Sequence, residues 1–80
     1  MPKLRLHLTF PEQLIKDPII WRLGRQYDII TNVRRANVEE TMGWVILEAE
    51  GTEEALEQGV AWMREMGLQV DRLDGDTLES

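Results

Sequence analysis

Eighty residues with a net charge of −6 and no cysteine describe one small domain, without disulfides, cysteine-ligated zinc, iron–sulfur clusters or a cysteine nucleophile. The balance of 15 acidic against 9 basic residues has the wrong sign for general nucleic-acid binding, where Lys and Arg neutralise phosphates. No apolar run approaches the ~20 residues of a membrane span, and Lys3, Arg5 and His7 interrupt the first leucines, unlike a signal peptide; the expectation is a cytoplasmic protein with a core over residues 3–73.

Residues 3–10 alternate strictly, with Leu4, Leu6, Leu8 and Phe10 on one face and Lys3, Arg5, His7 and Thr9 on the other, which predicts a strand. Residues 11–16 read as a connector. Asp17-Pro18 predicts a helix start, the aspartate capping free amides and the proline at the first helical position. Ile19, Ile20, Leu23 and Tyr27 then share about 100° of helical arc, with Trp21 outside it. Residues 28–38 are rich in β-branched side chains and predict a second strand, with Ile29, Thr31 and Val33 inward and Ile30, Asn32 and Arg34 on the other face.

After a turn at 39–42, residues 43–50 predict a third strand, Val45, Leu47 and Ala49 facing the core and Trp44, Ile46, Glu48 and Glu50 facing away. Thr52 caps a second helix whose first turn carries Glu53 and Glu54, favourable to the helix dipole. Its apolar side runs through Ala55, Leu56, Gly59, Val60, Trp62, Met63 and Met66, and Gly67 stops it. Residues 68–73 predict a fourth strand and 74–80 a frayed acidic tail. The order β-α-β-β-α-β predicts an α+β, ferredoxin-like fold, a four-stranded antiparallel sheet with both helices on one face. Strands one and three are then central, two and four edges. The basic residues Arg22, Arg25, Arg34 and Arg35 lie in the first half and most acids in the second, a dipolar distribution.

The ordered set Pro18-Ile19-Ile20, Leu23, Thr31-Asn32-Val33-Arg34-Arg35-Ala36, Gly43, Gly51 and Ala61-Trp62-Met63 resembles the NIL domain family. The resemblance spans residues 3–73 and is strongest to the branch often fused to a ferredoxin segment, absent from this cysteine-free chain. The Asn-Ile-Leu triplet of that family stands here as Asn32-Val33-Arg34. The resemblance implies a regulatory domain of the kind found on methionine-importer ATPases, where a pair of domains binds methionine and restrains transport. It implies a link to sulfur metabolism and no catalysis.

Among single residues, His7 has no Cys, Ser or second His with which to assemble catalytic or metal chemistry, and no Gly-rich phosphate loop follows any strand. Asp71, Asp74, Asp76 and Glu79 do not match the spacing of a calcium loop. No catalytic residue, metal or cofactor is expected. Ile30, Trp44 and Ile46 fall on the sheet face that no helix covers, an apolar group of the kind that marks an interface; a homodimer contact is expected there, the rival cover being the tail or residues 11–16. Asn32 and Arg34 are the expected ligand-binding pair, the arginine fork matching a carboxylate, against an ordinary charge on an edge strand. Two functions follow: a sensor of a sulfur-containing amino acid such as methionine at a dimer interface, or a protein-interaction module docking on a sulfur-metabolism enzyme or ferredoxin without a small-molecule ligand.

Overall fold

The computed structural model describes residues 1–73; the predicted acidic tail at 74–80 lies outside the described residues. The alternating leucines form β1 (Lys3–Pro11), which pairs on one side with β3 (Met42–Glu50) and on the other with β4 (Gln69–Arg72). Outside β3 lies β2 (Ile30–Val38), so the antiparallel order is β2-β3-β1-β4, with strands one and three central as the element order predicts. Register puts like with like: Leu6 faces Leu47, Leu8 faces Val45 on one side and Val70 on the other.

Two helices, α1 (Ile19–Tyr27) and α2 (Glu53–Met66), cover one face of this sheet. Ile19 and Leu23 from α1 meet Leu56, Val60 and Met63 from α2 over Leu4, Leu6, Leu8, Val45 and Leu47, all in one buried cluster. The close approach of the layers is set at Gly59, where a Cβ would stand 2.8 Å from both Leu23 Cδ1 and Ile29 Cδ1.

Helix α2 follows its predicted signals. Thr52 Oγ1 accepts a hydrogen bond from the Ala55 amide at 3.0 Å, and Gly67 closes the helix at φ 111°, a left-handed conformation that glycine enters without strain. Thr52→Ala is expected to lower stability by about 1 kcal/mol, because it orphans that amide; urea denaturation of the two proteins measures the difference.

Helix α1 departs from prediction. Pro18 itself is the N-cap and no side chain among the described residues caps the helix, because the Asp17 carboxylate is engaged elsewhere. It accepts two hydrogen bonds from Arg22 Nη1, at 3.1 and 3.2 Å, an ion pair five residues apart. The helix ends at Asp28 in a left-handed turn (φ 56°), so β2 begins at Ile30 rather than 28, although Ile29 is buried as expected. Met42 joins β3 opposite Pro11, one residue before the predicted start, and β4 is shorter than its predicted 68–73.

Strand β2 carries a bulge. Val33 pairs with Leu47, Arg35 with Ile46, and Arg34 is the extra residue between them. The inward parity of Thr31 and Val33 holds, since they face Ala49 and Leu47, but the helices leave much of this inner side uncovered. Val33 is 49% and Val38 58% exposed.

Candidate functional site

Where the helices fall short of β2, a cleft of about 200 Å³ opens between the N-terminus of α1 and the ends of β1, β2 and β3. Phe10, Ile15, Ile20, Val38 and Val45 give it apolar walls, and Trp21, 62% exposed, stands at its mouth. Among the described residues, the only ionisable side chain in the lining is Asp17. Its rim continues into a second, wider hollow through the shared residues Ile15 and Val38.

The uncapped start of α1 lines the same cleft. The Ile19 amide turns back to the Asp17 carbonyl at 2.7 Å and the Arg22 amide reaches the Pro18 carbonyl at 3.0 Å. Between them, the Ile20 and Trp21 amides find no turn or loop carbonyl and no side-chain acceptor among the described residues. Free amides at a helix N-terminus, with the helix dipole behind them, attract a carboxylate. Asp17, held by Arg22, brings a negative group within the same cleft for an ammonium; Arg22 in turn lies over the Trp62 ring, 5.2 Å from its centroid. Apolar walls, amide donors and a carboxylate are together the complement of an amino-acid zwitterion with an apolar side chain.

The opposite face of the sheet carries the residues singled out from sequence. Trp44 and Ile46 share that face, Trp44 stacked on His7 with centroids 5.6 Å apart and planes at 17°. His7 is therefore a packing partner of the tryptophan. Ile30 is 59% exposed but lies at the far end, opposite Glu50, with the Asn32–Glu48 pair between it and Ile46. The three expected interface residues thus do not form one patch. Asn32 is exposed opposite Glu48. Arg34, from the bulge, lines a shallow depression with Arg5, Arg35, Ile46 and Leu73, and Asn32 is not among its lining residues. The bulge also brings Arg35 opposite Ile46 on this face.

The cleft at α1 was missed in sequence. The signal was Asp17-Pro18 itself, because proline in the cap position supplies neither an amide nor a side-chain acceptor. Among the described residues no cluster of three or more His, Asp or Glu is arranged to hold a metal ion, and no helix is long and apolar enough to cross a membrane.

Comparison with known proteins agrees with this architecture. The chain is 31% identical over 72 residues to the methionine import ATP-binding protein MetN of Coxiella burnetii, an alignment covering 85% of this chain and 20% of that protein. It thus corresponds to about a fifth of its curated relative. In fold it is similar to the C-terminal domain of an ABC transporter ATP-binding protein from Enterococcus faecalis, with TM-score 0.79 at 16% identity over 90% of this chain and 84% of the other. A de novo designed protein, Foldit4, shares the fold at TM-score 0.58 and 11% identity, over 99% and 96% of the two chains. The model of the NIL domain matches residues 4–72, from the first buried leucine of β1 to the last residue of β4, and the chain belongs to that family.

Proposed function

We propose that this chain is a non-catalytic regulatory domain that senses an amino acid with an apolar side chain, methionine first among candidates, in the cleft at the N-terminus of α1. The observation that carries the reading is a cleft of about 200 Å³ that joins apolar walls, Asp17 and the helix start at Ile20 and Trp21, whose amides have no acceptor among the described residues. Membership of the NIL family and the likeness to a methionine import protein support methionine and a role in the cytoplasm. A second copy laid along the exposed edge of β2, where Ile30 and Val38 are 59% and 58% exposed, would close the mouth of the cleft, because Val38 belongs to both edge and cleft. Ligand and dimer then stabilise one another by linkage.

Three arginines on the open face favour a second location for the carboxylate, at Arg34, with Asn32 two residues earlier on the same strand but outside the depression's lining. Calorimetry with methionine, homocysteine and cysteine at millimolar concentration separates the two. Ile20→Glu places a negative charge in the cleft, at a helix start that tolerates acids, and is expected to abolish the heat of methionine binding. Asn32→Ala and Arg34→Ala are expected to change affinity less than about twofold, since a deletion outside the site removes no contact. The reverse pattern moves the ligand to the open face. Silence from all three amino acids in the unmodified chain leaves the interaction module, docking on a sulfur-metabolism or ferredoxin partner. A ligand held at 100 times its dissociation constant should add about 2.7 kcal/mol to stability, readable in a thermal melt.

A further inference from the structure

The open face of the sheet holds a depression of about 350 Å³, separate from the cleft at α1 and lined by Arg5, Arg34, Arg35, Ile46 and Leu73. The arginines reach it from both sides of β3: Arg5 on β1 pairs with Glu48, and Arg35 on β2 pairs with Ile46. Arg34 joins them through the bulge. Consecutive residues of a regular strand point to opposite faces, and the extra residue lets two neighbouring arginines line one hollow.

Like charges side by side on a sheet are destabilising. Among the described residues Arg34 and Arg35 have no ion-pair partner, and Arg5 has only Glu48 at 3.8 Å. Asp71 lies in the same row as Arg35 but three strand spacings away, roughly 14 Å. It is also hydrogen-bonded by Gln69 Nε2 at 2.9 Å. Three guanidiniums therefore share one carboxylate, over a floor formed by the half-buried Ile46.

We propose that this depression binds a phosphomonoester, its phosphate among the three guanidiniums and its organic body over Ile46 and Leu73. A carboxylate has one charge and two oxygens, which a single arginine fork satisfies. A phosphomonoester carries about −1.5 to −2 and three acceptor oxygens, enough for forks arriving from β1 and β2 together. The apolar floor favours an ester over the free inorganic ion, which would leave Ile46 and Leu73 uncovered. Trp44 shares this face two residues along β3 from Ile46, about 7 Å away, so a base carried by the phosphate has an aromatic neighbour.

The test is a titration of the full chain at low ionic strength, followed by nuclear magnetic resonance of the arginine Nε–Hε groups. The probes are adenosine monophosphate, ribose 5-phosphate, inorganic phosphate and acetate. The Arg5, Arg34 and Arg35 signals are expected to move and saturate with both esters, while those of Arg22 and Arg25, on α1, stay in place. Inorganic phosphate should bind about threefold more weakly than ribose 5-phosphate, for want of apolar contact, and acetate about tenfold more weakly. Tighter binding of adenosine monophosphate than of ribose 5-phosphate identifies a nucleotide; equal binding identifies a phosphorylated body without an aromatic ring. The double variant Arg34→Gln, Arg35→Gln, at two exposed positions, should lose about tenfold in affinity for the esters. Its melting temperature should hold or rise, because a like-charge contact is relieved. Acetate or inorganic phosphate matching the esters, signals that move at every arginine or at none, or a double variant that binds like the parent overturns the proposal. A double variant that melts below the parent does so as well, since the arginines then serve the fold.

Discussion

Leu47→Ala is expected to remove about 2–5 kcal/mol of stability, the range for truncating a fully buried leucine. Leu47 is 0% exposed and sits on a central strand, between Leu6 of β1 and Val33 of β2. Its loss leaves a cavity that neighbours on both sides are hydrogen-bonded too firmly to fill. Small domains hold about 5–15 kcal/mol in total, and each kcal/mol is worth roughly 4–8 °C of melting temperature at this size. A fall of more than about 10 °C should therefore appear in a thermal scan. Ile30→Ala, at a residue 59% exposed, is the control and should stay within about 0.5 kcal/mol of the parent. A Leu47→Ala protein melting within a few degrees of the parent would mean that the core is not where the fold puts it.

Gly59→Leu is expected to be about as damaging, for the opposite reason. A Cβ at this position already meets the tips of Leu23 and Ile29 at 2.8 Å, and both residues are buried. Leucine gains about 1 kcal/mol of helix propensity over glycine. Its three further carbons, however, have no space between α2 and the residues beneath, and such overpacking costs about 1–3 kcal/mol or more. We expect the packing term to win by at least about 1 kcal/mol. Gly59→Ala is the informative companion. A single methyl requires only two flexible side-chain ends to shift, and the helix gain nearly offsets that cost, so its denaturation midpoint should move little. Equal effects from alanine and leucine would refute the tight contact.

The hydrophobic pattern carried most of the architecture. Period two in the leucines of β1 and in Val45, Leu47 and Ala49 determined which face they bury, and the structure agrees residue by residue. Thr52 and Gly67 work as cap and stop because both act within a few residues of backbone. The failures have a common cause, competition from a group several residues distant. Asp17 looked like a cap, but Arg22 takes its carboxylate. The bulge at Arg34 has no local signature, since it arises from pairing with β3, and it is what sets Arg34 and Arg35 around one depression while leaving Asn32 out of the lining. The cleft at α1 was hidden for the same reason, since it depends on where β2 outruns the helices.

The two edges of the sheet are treated unequally, and this limits how the domain assembles. On the β4 side the strand is only 4 residues long, and the Arg64 guanidinium already occupies the Val70 carbonyl at 2.9 Å. On the β2 side 9 residues stand open, interrupted at Arg34. Unprotected strands on both flanks let sheets add end to end without limit, the route to fibres. With one flank short and occupied, growth through the sheet is stopped after a single step. Two copies meeting edge to edge at β2 turn only β4 strands outward, a closed pair with nothing left to extend.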